Sequence, residues 1–228
     1  MKVLALDTSN QTLAVALVEN GRLQTEMILT VKKNHSTSLM PTIDFLMQSV
    51  GWQPTDLDRI VVAQGPGSYT GLRIGVSTAK TLAYTLGIDL VGISSLQALV
   101  PKDIAGLVVP IIDARRNHVY AGFYEKGQSV KVDTYLSFVA LLEEVKAHER
   151  VTFVGEVEPF IEQITASLPE AHYQATVPSA YQLALDGEVA LTSEVMPFEP
   201  RYLKRVEAEE NWLKDNEETD KESYIKRL

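Results

Sequence analysis

The chain has 228 residues, 45% of them hydrophobic, a formal net charge of -9 and no cysteine. That length and composition suit one large soluble domain or two small lobes; disulfides, thiol nucleophiles and thiolate metal sites are excluded, and the acidic balance opposes a broad nucleic-acid surface, which needs clustered Lys and Arg. Asp7 interrupts the opening apolar run too early for a secretory leader and no later run approaches a membrane span, so the expectation is a cytoplasmic protein without membrane contact.

Lys2 to Leu6 and Leu13 to Val18 read as strands, and Asn20-Gly21 is a hairpin signal before a third strand at Leu23 to Leu29. Leu39, Ile43, Leu46 and Val50 then recur at spacings of four, three and four, which predicts an amphipathic helix capped by Ser36 or Ser38. Pro41 fits that helix only if it lies in the first turn. Gly51-Trp52-Gln53-Pro54-Thr55 ends the helix, and Ile60 to Ala63 reads as a buried strand.

The run Gly65-Pro66-Gly67-Ser68-Tyr69-Thr70-Gly71-Leu72-Arg73-Ile74-Gly75 follows that strand and precedes a second helical stripe at Leu72, Val76, Ala79, Ala83 and Leu86. Glycines at such a seam permit positive φ and close backbone approach, and helix-start amides there could hold an anion. The spacing misses the known nucleotide fingerprints: Gly65 and Gly71 are separated by five residues rather than four, and Leu72-Arg73 stands where a P-loop needs Lys and then Ser or Thr. A tight turn with intimate helix packing is favoured over a phosphate cradle. Gly75-Val76-Ser77-Thr78-Ala79 imitates a nucleophile elbow but lies within the helical pattern.

Ile88 to Ile93 reads as a strand and Ser94 to Val100 as a short helix stopped by Pro101, and at Leu107 to Ile112 the chain starts again. Asp7 precedes Asn20-Gly21 by 13 positions, and Asp113 precedes Lys126-Gly127 by the same 13. A repeated hairpin unit at two lobe starts is the layout of the duplicated actin-like fold. The fold expected is therefore α/β and two-lobed, of the actin-like ATPase, ribonuclease H-like class, with duplicated β-β-β-α-β-α units. Helices follow at Leu136 to Ala147, Pro159 to Leu168 and Leu183 to Leu191, with a strand at Val151 to Gly155. The lobes expected are 1–104, carrying both helical stripes, and a smaller 105–228 with an acidic tail from about 207.

In this architecture a carboxylate in each lobe faces metal and phosphates, and Asp7 and Asp113 could fill those places. Neither is followed closely by glycine, so structural aspartates are favoured, with Arg115 or Arg116 pairing Asp113. His35, His118, His148 and His172 are scattered and form no helical i,i+4 pair, so no metal site is expected; His118, near Asp113, is the one candidate for proton transfer. The two helical stripes either cover the sheet or join another subunit in a four-helix bundle.

Leu4-Ala5-Leu6-Asp7-Thr8-Ser9, His35-Ser36 before Leu39-Met40-Pro41, the Gly65 to Gly75 run with Ala79-Lys80, and Asp113-Ala114-Arg115-Arg116 before Val119-Tyr120 together resemble the bacterial TsaB (YeaZ) family. The resemblance runs to Pro200-Arg201-Tyr202-Leu203, with Tyr69 where Phe is usual and His118 where Glu is common. It implies a non-catalytic scaffold in the machinery that transfers a threonylcarbamoyl group to adenosine 37 of tRNAs reading codons that begin with A. The scaffold binds its catalytic paralogue TsaD through the first-lobe helices, the ATPase TsaE joins them, and TsaC-type enzymes supply threonylcarbamoyl-adenylate.

The partner-binding face expected on this reading comprises Leu39, Ile43, Leu46, Val50, Leu72, Gly75, Val76, Ala79 and Ala83, beside a glycine loop of Gly65, Gly67 and Gly71. Asp7 and Asp113 are vestiges of a nucleotide site, no cofactor is firmly bound, ATP or ADP is possible at the subunit interface, and tRNA is reached mainly through partners. The free chain is expected to form a homodimer through the same face. The alternative is a stand-alone actin-like ATPase or M22-type peptidase homologue.

Overall fold

A computed structural model describes residues 1–30 and 35–204. The first sheet opens with β1 (Lys2–Asp7), β2 (Leu13–Glu19) and β3 (Arg22–Leu29), an antiparallel meander. After α1 (His35–Ser49), β4 (Arg59–Gly65) joins β1 in parallel, and after α2 (Tyr69–Leu86), β5 (Asp89–Ser94) joins β4, giving the order β3-β2-β1-β4-β5. The second sheet repeats this with β6 (Leu107–Asp113), β7 (His118–Glu125), β8 (Gln128–Ser137), α3 (Phe138–Val145), β9 (Val151–Gly155), α4 (Ile161–Ser167) and β10 (His172–Ala175), in the order β10-β9-β6-β7-β8. The two sheets are the same unit twice, so the expected duplication holds. Asp7 and Asp113 end the equivalent strands β1 and β6.

Strand periodicity explains the layering of the first lobe. Leu4, Leu6, Val15, Leu17, Ile60 and Val62 point to one face, where α1 and α2 bury them. Val3, Ala5, Ala14, Ala16, Val18 and Val61 point to the other, and these small side chains leave a shallow bed that accepts α5 (Ala180–Val189) through Ala180, Leu183 and Ala184. At Gly187 a Cβ would overlap the Val61 methyls, so the helix sits close to the sheet. The last described segment thus returns to the first sheet: Ser193 bridges Leu90, and Phe198 enters the core beneath α2.

The second lobe buries one face of its sheet under α3 and α4 around Phe138, Phe153 and Phe160. Its other face meets the connection from β5 through contacts of Val100 with Val108, Tyr124 and Val154, and of Leu96 and Leu99 with Ile112.

Several boundaries differ from the sequence reading. Pro41 is the seventh residue of α1, beyond its first turn; its ring faces solvent, and its missing N–H removes a single intrahelical donor. The second helix starts at Tyr69 under a Ser68 cap, three residues before its apolar stripe, and keeps Gly71 and Gly75 within it as the pattern implies. β8 extends to Ser137, which caps α3, so that helix begins at Phe138. β10 has no apolar run to betray it; all four of its residues are exposed on the sheet edge. The acidic tail from about 207 lies outside the described residues.

Candidate functional site

The glycine run forms the wall between the first hairpin and α2. Ser68 donates its amide to the Ser9 carbonyl at 2.6 Å, and Thr8 Oγ1 donates to the Gly71 carbonyl at 2.7 Å. A Cβ on Gly67 would overlap the Ser9 carbonyl oxygen, one on Gly71 the Thr8 carbonyl oxygen, and one on Gly75 the Thr8 hydroxyl. Gly65, at φ +129°, lies equally close to the Arg201 carbonyl. The glycines therefore serve chain-to-chain approach, as the favoured sequence reading has it, and the space they open is filled by Thr8 and Ser9.

Asp7 lies beneath this contact, fully buried, with one oxygen accepting from the Ser9 amide at 2.7 Å. Its other oxygen has no partner within hydrogen-bonding geometry. Burial pushes its carboxyl up to about 6, against the opposing effects of the Ser9 bonds and the charge of His35. Asp113 instead reaches the cleft between the lobes. It accepts from the Arg115 amide at 2.8 Å and faces the Arg115 guanidinium at 3.9 Å, the structural pairing anticipated for it. Glu156 accepts from the Asp113 amide at 2.8 Å, and burial raises its carboxyl above the usual range.

The cleft has a volume of about 400 Å³ and is bordered by Ser9, Asn10, Tyr69, Asp113, Glu156 and Lys204, among others. Its second-lobe rim is an unusual turn: Arg115, Arg116 and Asn117 take φ of 69°, 54° and 54°. Left-handed backbone costs a residue bearing a Cβ roughly 1 kcal/mol. Ala114 N to His118 O at 2.9 Å and Phe138 N to Asn117 O at 2.9 Å hold the turn in place. His118 Nδ1 bonds the Arg116 carbonyl and its ring stacks on Tyr135, so it acts here as part of the turn. His35 bonds the Asn10 carbonyl at 2.8 Å. Among the described residues no group of three His, Asp or Glu could hold a metal ion.

The helical stripes require a correction. Leu39, Ile43 and Leu46 on α1 and Leu72, Val76, Ala79 and Ala83 on α2 are buried in the first-lobe core, Gly75 is pressed on Thr8, and Val50 packs beside them. Apart from Ile43, which also lines the groove between the helices, and half-buried Val50, these residues face their own sheet and offer no contact surface in the folded chain. The large apolar residues that α1 and α2 do expose are others: Met40, Phe45 at 58% exposure, Tyr84 at 68% and, at the start of α2, Tyr69. An apolar groove of about 260 Å³ also runs between the helices, bordered by Met40, Met47, Trp52, Leu57, Leu82 and Leu86, with Asp44 and Gln48 at its edge. No periodicity marks Met40, Phe45 and Tyr84, because exposed apolar residues on a mixed face carry no repeat, whereas Ile43 and Leu86, which also line the groove, belong to the two stripes.

Fold and site together define a two-lobed protein of the actin-like class whose glycine turn is closed on its own first hairpin. The family model described as TsaD, tRNA N6-adenosine threonylcarbamoyltransferase, matches residues 29–212. The tRNA threonylcarbamoyladenosine biosynthesis protein TsaB of Bacillus subtilis is 38% identical over 225 residues, covering 93% of this chain and 98% of that one. The structure of YeaZ from Pseudomonas aeruginosa superposes with a TM-score of 0.74 at 26% identity, covering 89% of this chain and 99% of that one. The chain belongs to the TsaB (YeaZ) family. An activator of 2-hydroxyisocaproyl-CoA dehydratase from Clostridium difficile, solved with bound ADPNP, shares the fold at 10% identity, with a TM-score of 0.51 over 96% of this chain and 100% of that one. Among the described residues no helix is long and apolar enough to cross a membrane.

Proposed function

We propose that this chain works in threonylcarbamoyladenosine biosynthesis on tRNA as a non-catalytic subunit, pairing its first lobe with a TsaD-type transferase. The observation that supports this reading is the pair of hairpins behind Asp7 and Asp113, which carry Thr8-Ser9-Asn10 and Ala114-Arg115-Arg116 in place of glycine, while Gly67 and Gly71 are committed to packing on the Ser9 and Thr8 carbonyls. The docking surface is the outer side of α1 and α2, with Met40, Phe45 and Tyr84 around the groove, in place of the buried stripe. Exposed apolar patches of this kind mark interaction sites more often than free surface. In the absence of the transferase the same surface pairs two copies of the chain. A TsaE-type ATPase and a TsaC-type supplier of threonylcarbamoyl-adenylate complete the proposed cytoplasmic system, with the place for ATP or ADP at a subunit boundary.

Affinity capture of a co-expressed TsaD-type transferase, combined with nucleoside analysis of tRNA from a strain carrying the variant chain, tests the reading. Phe45→Glu with Tyr84→Glu should leave a folded chain that neither captures the transferase nor supports the modified nucleoside. Full capture and full modification by that double variant would reject the surface. ATP turnover by the purified chain alone, abolished by Asp113→Asn, would favour the stand-alone ATPase instead.

A further inference from the structure

Two clusters of rings and cations flank the interlobe cleft, and core packing accounts for Tyr120 but not for the stacked pair Tyr69 and Tyr202. On the first-lobe side Tyr69 and Tyr202 stack with centroids 4.9 Å apart and planes inclined by 30°. The Arg73 guanidinium lies 4.3 Å from the Tyr69 ring centre, and its Nε donates to the Tyr202 hydroxyl at 3.1 Å. On the second-lobe side Tyr120 leans on Tyr135 at 5.6 Å, and Lys204 Nζ stands 5.3 Å from the Tyr135 ring centre. Tyr69, Tyr120, Tyr202, Arg115 and Lys204 all border the cleft. Tyr69 and Tyr202 are 39% and 40% exposed, so the stacked pair offers ring surface to a ligand.

The remaining groups at the cleft narrow the chemistry of that ligand. Asp113 and Glu156 are acceptors for amino groups, Asn10 and Gln11 can donate or accept, and Arg115 and Lys204 suit an anion. A planar ring with amino and carbonyl edges, joined to a phosphate, satisfies all three sets. A volume of about 400 Å³ admits one such unit. Arg73 does not border the cleft but contacts both tyrosines of the pair, so a cation stands beside the stack for the phosphate of a neighbouring residue in a strand. Aromatic shelves edged with Arg and Lys are how proteins hold unpaired nucleotides. The net charge of -9 restricts such contact to a local patch and disfavours a duplex laid across the surface.

We infer that the interlobe cleft takes one unpaired nucleotide of an RNA strand, its base against the Tyr69–Tyr202 pair and its phosphate at Arg115 and Lys204. The inference rests on the function proposed above and extends it: the chain touches the tRNA itself. A free mononucleotide carries the same base and phosphate, and the Arg73 position favours the strand.

Fluorescence anisotropy of a labelled single-stranded RNA of about seven nucleotides, titrated with the full chain at low salt, tests this, with AMP as competitor. Saturable binding is expected, weakened about fivefold or more by Tyr202→Ala and by Arg115→Glu, retained by Tyr202→Phe, and reduced by added salt. AMP should compete at least about tenfold more weakly than the unlabelled strand, since it lacks the flanking phosphates. No saturable binding, unchanged binding by a folded Tyr202→Ala chain, or AMP competing as well as the strand would each overturn the inference, the last reassigning the cleft to a free mononucleotide. Capture of the transferase is measured on the same variants. Capture retained with RNA binding lost is the expected pattern, whereas a wild-type chain that binds the strand but never captures the transferase sinks the proposed pairing and leaves the cleft assignment standing.

Discussion

Thr8 Oγ1 and the Gly71 carbonyl, 63 positions apart in the chain, are joined by a buried hydrogen bond of 2.7 Å that ties the first hairpin to the first turn of α2. Together with the Ser68 to Ser9 bond it makes the glycine run a structural seam. Gly71→Ala should therefore be destabilising even though Ala is the better helix former, because the new methyl meets a backbone oxygen that cannot move aside. A loss of about 1–3 kcal/mol is expected in denaturant unfolding; a neutral or stabilising result would refute the close-contact reading.

Val76→Glu and Leu46→Glu separate the buried stripe from the exposed surface. Both positions are nearly inaccessible, at 2% exposure each, so each substitution buries an unpaired charge and should abolish folding. Circular dichroism is the measurement. A native spectrum with loss of partner binding alone would restore the stripe as a contact surface.

Asp7 gives a pH dependence of definite sign. Its folded value of about 6 lies above the ordinary carboxyl value, so the native state holds the proton more tightly than the unfolded chain. Stability is then greatest below the unfolded value and declines as pH rises from about 4 through about 6, by up to about 3 kcal/mol for this group. Asp7→Asn should flatten that decline in thermal melts across the interval. An unchanged slope would mean that Asp7 does not titrate there.

The lobes are braced by the returning C-terminal segment. Arg201 donates its amide to the Gln64 carbonyl of the first lobe at 2.8 Å, while its guanidinium approaches Asp133 of the second at 3.6 Å. Asp133 also accepts from Ser94 at 2.7 Å, and burial raises its carboxyl despite both partners. Arg201→Ala should cost about 1 kcal/mol, since its side chain is partly solvated. It should also enlarge the radius of gyration measured by X-ray scattering; identical scattering would show that the lobes need no brace.

Much of the architecture can be read along the chain. Strands at Leu13 to Val18 and Ile60 to Ala63, the two stripes and the repeated Asp-to-turn spacing are local patterns, because side-chain direction repeats every two residues in a strand and every 3.6 in a helix. β10 escaped because an exposed edge strand has no apolar face to advertise. α2 begins three residues ahead of Leu72, where its apolar stripe starts, because Tyr69, Thr70 and Gly71 lie outside that repeat.

A stripe such as Leu72, Val76, Ala79 and Ala83 establishes that a helix has one apolar side, whatever covers that side. Only the packed molecule decides that the cover is its own sheet, that Met40, Phe45 and Tyr84 are left outside, and that Gly71 rests on Thr8. The physical reason is range. Periodicity is set by neighbours a few bonds away, whereas burial and close approach are set by residues that meet across 63 positions, as Thr8 and Gly71 do.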